Sequence, residues 1–496
     1  MPGRKTFAAF VAAAVVAGLA LTPVAGAQNA TSTHYTGTTA DPGGGSSEWI
    51  ADVPSAWNGT VVLYSHGFGP LRAADYPNQA TGQELLNEGY ALVGSSYDQS
   101  NSWWALDTAV ADQFAALSAL EGLLPRRPQH VIAFGTSMGG LISAMESEQP
   151  RTPIDGSLTT CGIVAGGVQL NNYQLDGEYT IDQLLNPTPG SIPLVNFHNN
   201  PGAGLASGYA FDALAKAAQN SAPLPGHTVS PGVARLALAM SLMNVADWPP
   251  GQAMPSPFNF AAQEQGQYDI EFAPSGAASP IQTTMDFVEF GRPYIEQASG
   301  GNASWDKDVN FAQLVAESPY APEILSLYRE AGLNLWSDLS NLTRNANTTA
   351  EPSAVYSLEH TSVPTGRLRV PELDMHTISD QLVPVQQENY YRHTVDRAWA
   401  GDLLRQAFVQ RQLHCNFTPS ELVAGLHAIQ YRVDTGRWDD VATPQALQAS
   451  ASNLAAANPG LGTPAIIPFF PPPLSGNNGP FDPQTGGSYP FRFPWW

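Results

Sequence analysis

Charged side chains are scarce in this chain of 496 residues, and positive charge is the scarcest. Charged residues make up 13% of the sequence, about half the share that is usual for soluble proteins. Three lysines occur, Lys5, Lys216 and Lys307, and the formal net charge is −22. Because such a surface repels phosphate backbones and anionic lipids, the composition predicts that neither a nucleic acid nor a membrane is a partner.

Long apolar runs are also rare, and the one at the N-terminus has the features of a targeting segment. Arg4 and Lys5 precede a small, apolar run over residues 7–21, and residues 25–27 (Ala-Gly-Ala) form an A-x-A cleavage pattern. These features are typical of a secretory signal peptide, here residues 1–27. No later run reaches the roughly 18 apolar residues that a spanning helix needs, so we expect a secreted, soluble mature protein.

Cysteine is nearly absent, with Cys161 and Cys415 as the two present. In an exported chain a disulfide between them is the first expectation, and two unrelated buried thiols are the alternative. The closed loop is so long that the chain-entropy model gives the bond about 5 kcal/mol. Without a second pair of Cys or His ligands nearby, the sequence predicts no structural metal site.

A G-x-S-x-G pattern, Gly135 to Gly139, lies between a strand-like and a helix-like segment. The apolar run 131–134 predicts a buried strand, and apolar residues follow Ser137 at helical spacing. A serine at the tip of a strand-to-helix turn needs neighbours without bulky Cβ atoms, which the two glycines supply. Ser137 is therefore a candidate nucleophile; the alternative is a glycine-rich turn that merely contains a serine.

Strand-like and helix-like segments alternate between residues 60 and 161. Strands are predicted at 60–65, 90–95, 131–134 and 154–160, with helices at 81–88, 105–123 and after Ser137. This order predicts a mostly parallel sheet with helices on both faces. Residues 28–47 are predicted to be a loose lead-in, and residues 50–57 a short edge strand.

The alternation stops near residue 166 and resumes near residue 366. Because a structureless loop of this size does not fit a compact domain, we expect a mainly helical cap over residues 167–365. Ser230-Pro231 and Ser279-Pro280 mark two helix starts, each with a serine N-cap and a proline at the first helical position. Shorter helices are predicted at 309–317, 323–331 and 333–342.

Sheet-like sequence returns after the cap. Residues 368–376 predict a strand, 385–399 a helix and 404–409 the last core strand, and Thr418 opens a helix with a capping box. From Pro459 onward proline and aromatic residues dominate, which indicates an irregular segment packed over the core; a tail that contacts carbohydrate or polymer is the alternative. The predicted division is a core over 28–166 and 366–458, the cap over 167–365 and a C-terminal segment over 459–496.

A serine hydroxyl becomes a good nucleophile when a histidine accepts its proton and a carboxylate orients that histidine. Asp380 follows the predicted strand that ends near His376, and His414 follows the strand at 404–409. Both lie beyond the carboxyl ends of parallel strands, where such sites assemble. The sequence therefore offers Asp380 and His414 as candidate partners of Ser137.

These motifs resemble the α/β-hydrolase superfamily over about residues 28–165 and 366–432. Residues 66–69 (His-Gly-Phe-Gly) resemble its oxyanion loop, Gly135–Gly139 its nucleophile turn, 380–384 its acid loop and His414 its base. The resemblance implies the α/β-hydrolase fold, with the cap inserted before the strand that carries the acid. It also implies an oxyanion hole from the N–H groups of Phe68 and Met138, and no cofactor.

A partial resemblance to secreted tannases and feruloyl esterases rests on the Trp57-Asn58-Gly59 turn and the His414-Cys415 pair. In that group a cysteine also precedes the nucleophile and bonds the cysteine after the histidine. Here Thr136 occupies that position, so the signature is incomplete. We therefore hypothesise that Cys161, at the end of the next strand, reaches Cys415 instead and holds the histidine loop.

Other residues compete for these roles. The alternative acids are Glu372 and Asp374, and the alternative histidines are His376, His393 and His427. The two acids lie within the predicted strand, His376 and His393 come too early in the chain, and His427 lies inside a capped helix. For the substrate pocket we name His66, expected to shape the oxyanion loop, and Trp103 and Trp104, which line a pocket for an acyl or aromatic group or simply anchor the following helix.

The expected function is a secreted serine hydrolase that cleaves carboxylic esters through an acyl-enzyme. The predicted substrate is an ester, either a soluble aryl or alkyl ester or an extracellular polyester. A peptidase with the same triad is the alternative within the enzymes, because ester and amide hydrolysis need the same groups. A non-catalytic binding protein on the same scaffold is the alternative outside them.

Overall fold

The structure is a computed structural model that describes residues 30–40, 44–197, 200–276, 279–476 and 480–489. The predicted signal peptide at 1–27 lies outside the described residues, as does the end of the chain from residue 490. Across the described ranges, no helix combines the length and the apolar character needed to cross a membrane.

Within the ranges that the structure describes, nine strands form one central sheet. In chain order they are β1 (Ser32–Ala40), β2 (Ser46–Pro54), β3 (Thr60–Ser65), β4 (Ala91–Asp98), β5 (His130–Thr136), β6 (Gly156–Thr160), β7 (Glu372–Ser379), β8 (Leu404–Gln412) and β9 (Ile466–Ile467). Their order across the sheet is β1-β2-β4-β3-β5-β6-β7-β8-β9. Strands β4, β3, β5, β6, β7 and β8, in this order across the sheet, run parallel. At the two margins β1, β2 and β9 pair antiparallel.

Helices cover both faces of the sheet. On one face lie α1 (Gln79–Asn87), α14 (Pro419–Thr435) and α15 (Pro444–Ala457), and on the other α2 (Ala109–Glu121), α3 (Met138–Glu148) and α13 (Gln386–Arg397). The central strands are buried along their whole length, as in β3 and β4, which is why they read as nearly continuous apolar runs. The mostly parallel sheet with helices on both faces is confirmed.

Between β6 and β7 the described residues form a helical cap. Its helices are α4 (Gly167–Leu185), α5 (Pro201–Gln219), α6 (Pro231–Leu242), α7 (Phe260–Glu271), α8 (Thr284–Ser299), α9 (Phe311–Glu317), α10 (Ala321–Glu330), α11 (Leu335–Asn345) and α12 (Pro352–Thr361). One apolar cluster joins Leu141 of α3 to Trp305 and Leu314 of the cap. The cap therefore packs directly on the core, and the division of the chain at 166/167 and 365/366 stays a prediction.

Helix starts were predicted well where capping was complete. Ser230 accepts a hydrogen bond from the Val233 N–H at the start of α6, and Thr418 and Glu421 form the capping box of α14. The start predicted at Ser279-Pro280 is wrong. α8 begins at Thr284, where Thr283 and Asp286 form a reciprocal capping box. Two satisfied N–H donors stabilise a helix end more than a single serine does.

The N-terminal segment was predicted wrongly. Residues 28–47 were expected to be a loose lead-in, but β1 occupies residues 32–40 and pairs with β2 along nine residues. The edge strand predicted at 50–57 lies inside the sheet, between β1 and β4. The four threonines of β1 suit a strand because β-branched side chains fit a pleated surface. The strand lacks the apolar run that made the other strands recognisable from the sequence.

The last core strand was predicted at 404–409, but a two-residue strand in the C-terminal segment, β9, follows β8 in the sheet. Ile466 and Ile467 pair antiparallel with Val409 and Phe408. Further on, Leu474 is buried in the cluster that joins core and cap, and the Ser475 N–H donates to Asn244 Oδ1 at 2.9 Å. The described part of this segment thus packs across both the sheet and the cap.

Candidate active site

Ser137 lies in the strand-to-helix turn between β5 and α3, as the sequence predicts. Its backbone has φ 62° and ψ −125°, a conformation that non-glycine residues rarely adopt. The strain is held by the hydrogen bond from the Ser137 N–H to Thr160 O, at 3.0 Å. Gly139 is required here, because a Cβ at this position would overlap Ser65 O of the neighbouring strand. The turn therefore projects the serine beyond the end of β5.

Ser137, His414 and Asp380 form one hydrogen-bonded chain. His414 Nε2 lies 2.8 Å from Ser137 Oγ, and His414 Nδ1 lies 2.7 Å from Asp380 Oδ2. Because the carboxylate only accepts, Nδ1 carries the proton and Nε2 is free to accept one from the serine hydroxyl. Asp380 follows β7 and His414 follows β8, so the parallel pairing of these strands brings the two residues to the same edge.

The Asp380 carboxylate is fully buried yet stays ionised. Burial by itself would raise its pKa, but the charge and hydrogen bond of His414, the charge of His376 and the Val383 N–H more than offset this effect, so its pKa is lowered. The N–H groups of Leu382 and Val383 each donate to Asp380 Oδ1 at 2.9 Å. An ionised acid holds the His414 ring in the orientation and tautomer that general-base chemistry needs.

The predicted oxyanion loop runs beside the serine. A Cβ on Gly67 would lie 3.1 Å from Ser137 Cβ, so the backbone that leads into Phe68 passes close to Ser137. His66 supports this loop from below, since its Nδ1–H donates to Gly67 O at 2.8 Å and its ring stacks on Tyr97 at 4.3 Å. Burial lowers the pKa of His66, which keeps the ring neutral. The donor roles of Phe68 and Met138 stay predictions.

The two cysteines form the expected disulfide, Cys161–Cys415, with a Cα–Cα distance of 5.3 Å. Cys161 follows β6, so the bond ties the end of that strand to the loop that carries His414. Cys415 Sγ lies 3.3 Å from His414 Nε2. Within the described residues these three side chains are the one group close enough to share a metal ion, but both sulfurs are consumed by the disulfide and offer no thiolate.

Among the described residues, Phe68 of the predicted oxyanion loop contacts a cluster of half-buried rings, and we name the five rings the aromatic wall: Phe68, Trp103, Phe287, Phe290 and Tyr294. Trp103 stacks on Tyr294 at 4.8 Å with an interplanar angle of 7°. Phe68 contacts Trp103, Phe287 and Tyr294 edge-on at 5.6–6.0 Å. The last three rings of the wall come from one face of α8, at i, i+3 and i+7 spacing. A helix was predicted in this region, from Ser279-Pro280, but the spacing of these rings was missed.

The helix α8 is fixed by a buried ion pair on its opposite side. Arg292 Nη2 contacts both carboxylate oxygens of Glu178 on α4 at 2.6 Å. Burial, together with the Glu178 charge, raises the pKa of the adjacent Glu289 well above its usual range, so Glu289 is neutral and the group carries no excess negative charge. A buried pair of this geometry fixes orientation even where it adds little stability, and here it orients the helix that carries the aromatic wall.

The remaining residues that the sequence suggested for the site lie away from Ser137 or contact it only through other residues. Trp104 is buried, its Nε1–H donates to Ser362 Oγ at 3.0 Å, and its ring centroid lies 6.5 Å from that of Phe68. It therefore contacts both the cap and the wall, and its pocket role stays a prediction. His427 pairs with Glu88 at 2.7 Å on the surface, and His393 is exposed on α13. Of the alternative histidines, His376 alone contacts Asp380 among the described residues.

A strand–serine–helix turn, an acid after β7 and a histidine after β8, all on a mostly parallel sheet, define the α/β-hydrolase fold, and this chain has that fold. No protein-family model matches the chain. It is similar to o-phthalyl amidase of Xanthobacter agilis, with 28% identity over 414 residues, which cover 79% of this chain and 86% of that protein.

Solved structures similar to this chain are more distant. Feruloyl esterase B from Aspergillus oryzae has a TM-score of 0.43 and 12% identity, over 82% of this chain and 81% of that one. Brefeldin A esterase, a bacterial enzyme, has a TM-score of 0.36 and 10% identity, over 89% and 79%. The acylaminoacyl peptidase of Pyrococcus horikoshii has a TM-score of 0.33 and 10% identity, over 78% of this chain, which spans 38% of the peptidase.

Removing the disulfide is expected to destabilise the protein strongly. In the double variant Cys161→Ala/Cys415→Ala the unfolded chain regains the entropy of a loop closed across 254 residues, which corresponds to roughly 5 kcal/mol as an upper figure. The urea midpoint of unfolding, measured without reductant, should fall accordingly. Thiol titration of the denatured wild-type protein is the control and should find none; two free thiols, or an unchanged midpoint in the variant, would contradict the prediction.

Proposed function

We propose that this protein is a serine hydrolase that cleaves carboxylic ester bonds, with Ser137 as nucleophile, His414 as general base and Asp380 as the orienting acid. One observation carries the proposal: the hydrogen-bonded chain of 2.8 Å and 2.7 Å that links the serine, the histidine and a buried, ionised carboxylate. The strained backbone of Ser137 supports it, because such strain persists where function requires it.

In this mechanism Ser137 Oγ attacks the ester carbonyl carbon while His414 Nε2 takes the hydroxyl proton. The carbonyl oxygen becomes an oxyanion that the N–H groups of Phe68 and Met138 bind, and one such donor lowers the barrier by about 3–4 kcal/mol. The C–O bond to the alcohol then breaks, and His414 returns its proton to the leaving alcohol. In the second half of the reaction His414 takes a proton from a water molecule, which attacks the carbonyl carbon of the acyl-enzyme. The bond to Ser137 Oγ then breaks, His414 returns the proton to Oγ, and the carboxylic acid leaves.

The proposed substrate is an ester of an aromatic acid, either a small molecule or an extracellular polyester. The aromatic wall supports this, because it begins at Phe68, one residue beyond the glycine that approaches Ser137. Rings in edge and stacked contact offer an aryl group both apolar area and favourable ring geometry. An aryl acyl group packed on this wall would hold its carbonyl carbon near the serine.

We propose that the protein acts outside the cytoplasm. The predicted signal peptide at residues 1–27 and the Cys161–Cys415 bond support this, because disulfides form and persist in oxidising compartments.

Amide hydrolysis is the second candidate, and the similarity to o-phthalyl amidase of Xanthobacter agilis favours it. Attack on an amide uses the same nucleophile and base, and the leaving amine needs the proton from His414 more than an alcohol does. The two candidates therefore differ in substrate and not in the catalytic groups.

Replacing the nucleophile should abolish both labelling and turnover. In Ser137→Ala we expect no reaction with a fluorophosphonate probe and a fall in kcat of about 10⁴-fold or more on 4-nitrophenyl esters, because no acyl-enzyme forms. Ser340→Ala, an exposed serine on α11, is the matched control and should behave as wild type. A well-folded wild-type protein that neither reacts with the probe nor turns over ester would favour a non-catalytic binding protein.

A matched pair of unactivated substrates should separate esterase from amidase. With methyl benzoate and benzamide, which share one acyl group, we expect kcat/KM for the ester to exceed that for the amide by about 100-fold, because the alcohol leaves more readily. Product benzoate is measured by chromatography in both reactions. An amide rate equal to or above the ester rate would overturn the ester proposal in favour of the amidase.

Removing rings from the aromatic wall should reduce the preference for aromatic acids. In Phe287→Leu and Tyr294→Leu we expect kcat/KM for 4-nitrophenyl benzoate to fall about 10-fold, through the loss of about 1.4 kcal/mol of ring contacts. The rate for 4-nitrophenyl acetate, which has the same leaving group, should change less than twofold. Phe258→Leu, a ring that is 84% exposed on the cap, is the control; equal losses on both esters would show that the wall does not bind the acyl group.

A further inference from the structure

His376 lies on β7, four residues before Asp380, and is completely buried. Its Nε2 lies 2.8 Å from Val383 O and 3.6 Å from Asp380 Oδ2, and its Nδ1 lies 2.7 Å from Glu388 Oε1 on α13. Both ring nitrogens therefore have partners, and both partners belong to the segment that holds the acid of the candidate site.

The positions of the protons on His376 and Glu388 follow from the hydrogen bonds that these two residues make. A carbonyl oxygen only accepts, so His376 Nε2 carries a hydrogen. The short contact between Nδ1 and Glu388 then needs one more proton, held by either the ring or the carboxyl. In both arrangements the histidine and the glutamate together have no net charge. Burial, the largest effect, raises the pKa of Glu388 to about 7, so the carboxyl retains a share of that proton near neutral pH.

We propose that His376 and Glu388 act as a positioning pair for Asp380. Val383 is the link, since its N–H donates to Asp380 Oδ1 at 2.9 Å while its carbonyl accepts from His376. The pair thereby fixes the turn whose N–H groups hold the acid. It also places His376 Nε2 3.6 Å from Asp380 Oδ2, the carboxylate oxygen that lies 2.7 Å from His414 Nδ1. Asp380 is held between two imidazoles, of which one reacts and the other orients.

The surroundings of the pair keep it in place. Gln406 on β8 donates its Nε2–H to Glu388 Oε2 at 2.7 Å. Asp374 on β7 faces the same carboxyl, and burial together with the Glu388 charge raises the pKa of Asp374 well above its usual range, so it is neutral. Glu372 on β7 has its pKa raised to about 8, chiefly by burial. The positive charge of Arg392 on α13 lowers the pKa of Glu388, against the larger effect of burial. The neighbouring acids therefore add little negative charge against Asp380.

Substitution of His376 would have different effects on stability and rate if the residue served only core packing than if it positioned Asp380. Packing predicts a loss of stability with an unchanged rate per folded molecule. Positioning predicts a slower reaction of Ser137, because a displaced Asp380 no longer orients His414. The inference rests on the proposed serine hydrolase function, and the test separates the failure of one from the failure of the other.

The test compares His376→Leu with His376→Gln in the full chain, using 4-nitrophenyl benzoate. Active sites are counted with a fluorophosphonate probe, so that rates refer to folded enzyme. We expect kcat to fall about 10- to 100-fold in the leucine variant with KM within threefold of wild type. The glutamine variant, whose side-chain N–H can donate to Val383 O, should recover kcat to within about fivefold. His427→Leu is the matched control, because His427 also contacts a carboxylate, Glu88, at 2.7 Å, and should react as wild type.

If His376→Leu does not fold, Glu388→Leu and Glu388→Gln make the same comparison from the partner side. The amide of glutamine can donate to Nδ1 and keep the ring in place, and leucine cannot. A wild-type kcat per active site in the leucine variants, a change in KM alone, or equal losses in the leucine and glutamine variants would overturn the positioning role. Activity that survives in Ser137→Ala would instead overturn the proposed function itself.

Discussion

The parallel pairing of β5, β6, β7 and β8 is the constraint on which the candidate site depends. Parallel strands all end at the same edge of the sheet, so the loops that follow them meet there. That edge carries Ser137, Cys161, Asp380 and His414, each from a different strand although they span 278 positions of the chain. The disulfide joins two of these loops directly, and the hydrogen-bonded chain joins the other two to the loop of His414.

Buried charge imposes the second constraint. Many acidic groups among the described residues are buried, and burial raises the pKa of several of them, as with Glu289 in the cap and Glu372 in β7. Asp380 differs from these two, because His414, His376 and the Val383 N–H lower its pKa despite burial. Burial of an ionised carboxylate is tolerable only with such complete hydrogen bonding. The contrast between Asp380 and its neighbours distinguishes the acid of the site from the acids of the core.

Sequence patterns predicted the local elements where the signal was complete and failed where it was not. The strand before Ser137 and the helix after it were read correctly, as was the capping box at Thr418. The lead-in at 28–47 was misjudged, since an edge strand with one exposed face lacks an apolar run and is specified mainly by the strand it pairs with. The Ser279-Pro280 pair has the residue types of a helix start, but the helix begins after Thr283, where Thr283 and Asp286 form a capping box.

The sequence by itself determined the alternation of strands and helices and the order of serine, acid and histidine, because these depend on the spacing of near neighbours. It also predicted the parallel sheet, and with it the edge at which those residues meet. The tertiary structure alone decided the contact of Cys415 with His414, the aromatic wall that α8 builds against Phe68, and the place of His376 beside Asp380. The aromatic wall joins elements far apart in the chain, and the two other contacts join near neighbours whose side-chain orientation depends on how the strands and their loops pack, which no local pattern records.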